Sequence, residues 1–229
     1  MTCLWCDQPI NESIHWGNVF WPSKRKEICT SCEEKLPFIE GQTCHRCGRN
    51  SFETECKDCQ WWEKQLKDDP LRKNISIFSY NDFMKEIIAQ WKYRGDYVLI
   101  EMFRHYFAKK FAKHFQTIVN NAIIVPIPLS EERLMERRFN QAEALTTLLH
   151  ERKNVVTHLL YRRHSEKQAK KTRQERIQSN NPFMINSSVK KRVILIDDIY
   201  TTGMTLRHAA MVLKARGCPE VFSFTLVRG

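Results

Sequence analysis

Between positions 197 and 205 the chain reads Asp197-Asp198-Ile199-Tyr200-Thr201-Thr202-Gly203-Met204-Thr205, two carboxylates followed by three threonine hydroxyls around a glycine. Hydroxyls and backbone N–H groups donate to phosphate oxygens, and a glycine lets the backbone close on an anion at the start of a helix. Thr201, Thr202, Gly203, Met204 and Thr205 therefore form a candidate phosphate cradle. The two acids would repel that phosphate, so Asp197 and Asp198 must face a hydrogen-bond donor or a cation, and a vicinal diol or a hydrated Mg²⁺ fits. Phosphate on one side and a diol on the other describe a ribose 5-phosphate. The plainer alternatives are an acidic pair at a strand end that only caps the following helix, or a receiver-like acidic pocket without phosphate binding.

The elements that must position these groups are legible around them. Val193 to Ile196 is a run of branched apolar residues, a strand buried on both faces that ends at the two carboxylates. Leu206, Ala209, Ala210 and Leu213 recur at helical spacing, and Gly217 with Pro219 ends that helix. Ile123-Ile124-Val125 is a second buried strand, halted by Pro126-Ile127-Pro128. Beyond it, Arg133 and Arg137 are candidate ligands for phosphate or pyrophosphate, or a solvated basic helix face. Ile75 to Tyr80 reads as a strand, and Asn81 or Asp82 caps a helix carrying Met84, Ile87, Ile88 and Trp91. One amphipathic helix should run from Leu99 to Phe115, Val155 to Thr157 should be a short strand, and Val221 to Val227 alternates as a last strand at a sheet edge. Trp91 to Tyr97 mixes aromatic and basic residues, either as a platform for stacked bases or as core plus a helix start. The expected fold class is α/β, a mostly parallel sheet with flanking helices.

Eight of the nine cysteines fall into four CxxC pairs: Cys3 and Cys6, Cys29 and Cys32, Cys44 and Cys47, Cys56 and Cys59. A CxxC knuckle points two thiolates at one ion, and a tetrahedral Zn²⁺ takes two knuckles, so four pairs imply two closed, structural zinc sites. Sequential pairing joins the first two pairs and the last two, with an interleaved arrangement left open. The domain plan is a double zinc ribbon over 1–60, a linker over 61–74 and the α/β domain over 75–229. Trp5, Trp16, Phe20 and Trp21 either fill the ribbon or form a docking face, while His15 and His45 are bystanders.

Charge separates the parts. Residues 61–229 hold 30 Lys+Arg against 17 Asp+Glu, so the net +11 belongs to the larger part and suits either a polyanionic partner or plain solubility. Arg162 to Arg176 is almost devoid of apolar residues and cannot bury a face; it reads as a mobile basic loop. Arg163, Lys167, Lys170, Lys171, Arg173 and Arg176 within it are candidates to track a nucleic-acid backbone, or belong to an unstructured basic loop with no such role. The N-terminus lacks a basic region followed by an apolar core, and no apolar run approaches a membrane span, so a cytoplasmic location without membrane insertion is expected.

The run from Val193 to Thr205 resembles the signature of type I phosphoribosyltransferases for 5-phosphoribosyl 1-pyrophosphate (PRPP), and its form Asp-Asp-Ile-Tyr-Thr-Thr-Gly resembles the ComF family of competence proteins. Val125-Pro126-Ile127-Pro128-Leu129-Ser130, the Arg138-Phe139-Asn140-Gln141-Ala142-Glu143 block and Asn180-Asn181-Pro182-Phe183 are similar to other ComF segments, with Arg138 standing where the family has Gly. The resemblance implies that PRPP binds with Mg²⁺, its ribose on Asp197 and Asp198, its 5′-phosphate on 201–205 and its pyrophosphate near 126–128, under the basic loop. It further implies a role in natural transformation, with single-stranded DNA, a helicase-like protein and other transformation proteins as partners, and recruitment to the membrane-bound DNA-uptake machinery. An active Mg²⁺-dependent transferase with an unidentified acceptor is the alternative.

Overall fold

The computed structural model describes residues 1–10, 26–149, 154–162 and 181–229. Two short helices in the cysteine-rich part, α1 (Thr30–Glu33) and α2 (Lys57–Gln65), precede strand β1 (Lys73–Ser79) and helix α3 (Asp82–Tyr93), which Asn81 caps by accepting from the Met84 N–H at 2.8 Å. Helix α4 (Arg104–Phe115), strand β2 (Ala122–Pro126) and helices α5 (Glu131–Arg137) and α6 (Gln141–Thr146) follow. A two-stranded antiparallel ribbon, β3 (Tyr161–Arg162) with β4 (Phe183–Met184), leads to β5 (Arg192–Tyr200), α7 (Met204–Ala215) and β6 (Val221–Arg228). β1, β6, β5 and β2 pair in that order as a fully parallel sheet with helices on both faces. Among the described residues no helix is long and apolar enough to cross a membrane.

On one face, Phe107, Phe111 and Phe115 of α4 place their rings 4.6, 5.4 and 5.8 Å from that of Phe224 on β6. The aromatic stripe is therefore core. It does not begin as one helix at Leu99, because Tyr97–Phe103 is wound as a 3₁₀ helix. Three residues per turn eclipse Leu99 with Met102 and Ile100 with Phe103, and all four are buried, a burial that 3.6-residue winding would spread round the helix.

Two other expectations are corrected. β6 lies inside the sheet, between β1 and β5, and not at its edge. Its polar positions only look solvent-facing: Ser223 Oγ donates to Asn74 Oδ1 at 2.8 Å, Thr225 shares a hydrogen bond with Ser76 at 2.6 Å, and Asn74 Nδ2 donates to the Cys47 carbonyl at 3.1 Å. A satisfied polar network in a covered face yields the same alternation as water would. Val155 makes a single parallel bridge to Ile124 and no strand.

The two cysteine groups pack against different faces. Cys3 and Cys32 join the core under α3 and α4, where the Trp5 ring meets Phe83 edge-on at 5.6 Å. Cys44, Cys47, Cys56 and Cys59 join the core under α7 with Leu71, Tyr200 and Leu206.

Candidate functional site

β5 does not stop at its carboxylates. β2 leaves it early, its last partner pair being Pro126 with Ile196, while β6 stays paired as far as Tyr200 with Arg228. Asp197 and Asp198 thus remain in the strand but project past the end of β2, into a cleft of about 230 Å³ at the carboxyl edge of the parallel sheet. The Asp198 N–H donates to Asp197 Oδ1 at 2.9 Å and the Ile199 N–H to Asp198 Oδ1 at 2.7 Å, which holds both side chains beside the backbone. Burial, and then the Asp198 charge, push the Asp197 carboxyl up to about 8. Asp198, 8% exposed, carries an ion pair with Lys92 of α3.

Thr201 and Thr205 line the cleft, and Thr202, Gly203 and Met204 form the turn behind it. Gly203 has φ 76°, and a Cβ there would come within 2.2 Å of Tyr200 Oη and 2.4 Å of Arg207 Nη1. The glycine is therefore required by what lies beneath the turn, before any anion is considered. The Met204 N–H is held by Thr202 Oγ1 at 3.4 Å, and the remaining first-turn N–H groups of α7 have no acceptor within the helix.

The opposite wall comes from the segment after β2. Of the proline loop, Ile127 lines the cleft, its N–H donating to the Ile196 carbonyl at 2.9 Å. Pro126 closes β2, and neither it nor Pro128 is among the residues lining the cleft. Arg133 and Arg137 both reach the cleft from α5. The Arg-Phe-Asn-Gln-Ala-Glu block divides its work: Phe139 packs on Trp91 and Tyr97, with ring centroids at 5.9 and 5.1 Å. Asn140 caps α6 and donates to the Ile127 carbonyl at 3.1 Å, tying loop to helix, and Gln141 faces the cleft. Arg137 Nη1 donates to Gln141 Oε1 at 3.0 Å, yet Arg137 Nε and Gln141 Nε2 are buried donors with no protein acceptor. Arg162 of β3 adds a third guanidinium, whose proton affinity is lowered by burial and by Arg133 facing it.

Lys92, Gln141 and Arg162 each lie in a stretch that the sequence analysis singled out, without being marked individually as site residues. Lys92 sits inside the Trp91–Tyr97 stretch, which the structure splits: Trp91 is core, Lys92 reaches the acids, and Tyr93 is exposed beneath the Arg137 guanidinium at 5.5 Å. The loop candidates Arg163, Lys167, Lys170, Lys171, Arg173 and Arg176 lie outside the described residues, as do His15, Trp16, Phe20 and Trp21.

Arg138, the departure from glycine, adopts φ 68° at the C-cap of α5. A side chain in the left-handed region costs about 1 kcal/mol. Arg138→Gly should raise the unfolding midpoint by roughly 2–4 °C for a chain of this size; a thermal melt showing an equal or lower midpoint would mean that Arg138 makes compensating contacts.

The sulfurs of Cys3, Cys6, Cys29 and Cys32 lie within 4.8 Å of one another, as do those of Cys44, Cys47, Cys56 and Cys59, so the sequential grouping is the one the fold assembles. The knuckles are built alike: the Cys3 N–H donates to the Gln8 carbonyl at 2.9 Å and Cys44 N–H to that of Arg49 at 2.8 Å, with Asp7 and Gly48 at φ 58° and 72°. In the second group, Cys44 Sγ lies 3.6 Å from Cys59 Sγ and Cys47 Sγ 3.6 Å from Cys56 Sγ, all four residues buried. Four sulfur donors with no open position suit a structural Zn²⁺. His45 is turned outward to Thr54 and Glu55.

A second, larger groove of about 720 Å³ runs between α4 and the cysteine-rich part. Lys109, Lys110, Lys113, His105 and His114 line one side, with Phe38 and Tyr106 at its wall. Burial, then Lys113, lowers the Lys110 proton affinity, as burial and Lys110, Lys73 and Lys113 lower that of His114. Cations here outnumber the neighbouring acids.

Comparison with known proteins bears on these sites. A family model described as a phosphoribosyl transferase domain matches residues 142–229, which includes the acids and the cradle. Competence protein ComFC of Bacillus subtilis (strain 168) is 40% identical over an alignment covering 100% of this chain and 95% of that protein. Competence protein ComFC of Streptococcus pneumoniae is 31% identical, covering 100% of both, and Competence protein F of Haemophilus influenzae is 25% identical, covering 88% of this chain and 90% of that protein.

Proposed function

The chain belongs to the ComFC family of competence proteins, and from that footing we propose that it acts in DNA uptake during natural transformation, binding single-stranded DNA and holding PRPP with Mg²⁺ in the cleft beside Asp197 and Asp198. The observation that carries the pocket reading is the complement of the cleft itself. Arg137 and Gln141, each with a buried donor that has no protein acceptor, Nε and Nε2, line the same small cleft as the acidic pair. A ligand with oxygens at one end and hydroxyls at the other satisfies both, since an unpaired buried donor costs about 1–3 kcal/mol.

In this reading Asp197 and Asp198 accept from the ribose hydroxyls. Thr201, Thr205 and the first turn of α7 receive the 5′-phosphate. Arg133, Arg137 and Arg162 receive the pyrophosphate, and Gln141 with Asn140 keeps the α5–α6 wall in place. Lys92 holds Asp198 in the free protein, so binding exchanges one cationic partner for hydroxyl donors. The acid pair and the pyrophosphate oxygens are hard donors of the type that Mg²⁺ takes; when bound, the ion would offset the charge of the pyrophosphate. Calorimetric titration with PRPP and Mg²⁺ should show one saturable site, and release of pyrophosphate in the same sample would mark the transferase alternative. An absence of binding with and without oligonucleotide would overturn the pocket.

The groove along α4 supports the DNA part. A cationic wall with aromatic and imidazole rings suits a single strand, whose backbone follows the lysines while its bases stack. Lys109→Gln, Lys110→Gln and Lys113→Gln together should weaken binding of an oligothymidine and flatten its salt dependence by about two units, at about 0.7 per phosphate contact. An unchanged slope would remove this groove from the DNA path. Neutralising Lys167, Lys170, Lys171 and Arg173 tests the basic loop in the same way.

A further inference from the structure

The turn that forms the phosphate cradle is held from behind by side chains that belong to the second cysteine group's surroundings. Trp62 Nε1 donates to the Thr202 carbonyl at 3.0 Å. Trp62 lies on α2, a helix that begins just after Cys56 and contains Cys59. Arg228 Nη1 donates to the Thr201 carbonyl at 3.0 Å and to that of Tyr200 at 3.3 Å, while its Nη2 lies 3.5 Å from Cys47 Sγ. Arg207 completes the grip: its Nη1 reaches Tyr200 Oη at 2.9 Å and the Thr202 carbonyl at 3.4 Å. Its guanidinium stacks over Trp62 at 4.5 Å and is locked by Asp69, the Nη2 to Oδ2 distance being 2.8 Å.

Three consecutive carbonyls, of Tyr200, Thr201 and Thr202, are therefore drawn away from the cleft. A peptide plane whose carbonyl is pinned on one side presents its N–H to the other, so the same contacts aim the following amides at the place where a phosphate would sit. Arg228 bridges two of these carbonyls directly to a sulfur. A cysteine that ligates Zn²⁺ is a thiolate, and a thiolate is a much stronger acceptor for a guanidinium than a thiol.

We propose that Trp62 and Arg228 are positioning residues for the phosphate cradle and that they make its geometry depend on metal occupancy of Cys44, Cys47, Cys56 and Cys59. Loss of that metal would loosen the cradle. The proposal rests on the pocket reading above and extends it to the pocket's control. The first cysteine group packs on the other face, against α3 and α4, and serves as an internal control.

The test uses the zinc-loaded full chain with two probes. Ribose 5-phosphate reports the cradle, and inorganic pyrophosphate reports the Arg133, Arg137 and Arg162 side. Trp62→Phe keeps a ring under Arg207 but removes the N–H donor together with part of the indole's buried volume; it should weaken ribose 5-phosphate binding at least roughly twofold to tenfold, the value of one hydrogen bond, and leave pyrophosphate binding unchanged. Arg228→Met should weaken ribose 5-phosphate binding by roughly ten- to a hundredfold with the same selectivity, in keeping with charge-assisted bonds. Amide exchange over 201–205 should quicken in both variants, with exchange in α4 unaltered, and should quicken on removal of metal. Equal losses for both probes, or losses for neither, would overturn the proposal. If the parent protein binds neither probe, the pocket reading fails, and loop exchange alone decides the linkage: quickened exchange upholds it and unaltered exchange ends it.

Discussion

Asp197→Asn should give a protein that is more stable than its parent and binds PRPP worse. Asp197 Oδ1 accepts the Asp198 N–H at 2.9 Å, and an amide oxygen keeps that bond. What the substitution removes is the cost of a carboxylate that burial and the Asp198 charge hold up at about 8. A folded state that retains a proton the unfolded chain has lost is penalised as pH rises, so this site's stability contribution, complete below pH 4, is lost up to about pH 8. Asn carries no such proton. The variant's advantage should therefore be absent near pH 4 and widen to on the order of 2 kcal/mol, several degrees in the unfolding midpoint, by pH 8. Affinity runs the other way. A carboxylate accepting from a ribose hydroxyl contributes about 1.5–3 kcal/mol, so PRPP with Mg²⁺ should bind roughly 10- to 150-fold more weakly to the variant. In the parent, affinity should rise between pH 7 and pH 8 as the proton leaves. Parallel melts and titrations across that range would refute the assignment if the two proteins bound equally, or if their midpoints stayed the same distance apart at every pH.

Stripping the metal should have the larger structural effect. Elemental analysis should find about two zinc ions per chain, one for each set of four sulfurs. A structural Zn²⁺ contributes about 10–16 kcal/mol of folding free energy, comparable with the whole net stability of a domain at about 5–15 kcal/mol. Chelation should therefore unfold the cysteine-rich part, and the damage should not stop there. Cys47 receives Asn74 through its carbonyl and Arg228 through its sulfur, which links the second group to β1 and β6. Cys47→Ser should lower the midpoint more than Cys6→Ser, whose sulfur is partly exposed and meets Cys29 at 3.7 Å without a bond to the sheet. One zinc ion or none, or a chelated protein that melts as the parent does, would contradict the two-site arrangement.

Features carried by a few adjacent residues were legible before any fold was known. The CxxC spacing, the acids followed by hydroxyls and glycine, and the helix running from Met204 each express their geometry within one or two turns of backbone. Surface and core patterns were less faithful. Ser223 and Thr225 imitate an exposed edge because a buried polar network leaves the same alternation as solvent, and Leu99 to Phe103 imitates the start of an α-helix because its apolar residues are buried on several sides. Arg207 has the character of a surface cation in sequence and is 2% exposed in the fold, its charge matched by Asp69 from a segment that read as linker.

Four CxxC pairs and an acid–hydroxyl–glycine loop at a helix entry were readable from the chain alone, because knuckles and helix-entry loops are local structures whose residues lie within a few positions. The fold alone brings Lys92 to the acids, places β6 inside the sheet, and sets Trp62 and Arg228 on the carbonyls of 200–202. Lys92 reaches Asp198, and Trp62 reaches Thr202, only because a parallel sheet brings separated segments to one edge. Strand order in such a sheet is set by long crossovers whose packing leaves no periodic trace in the segments it joins.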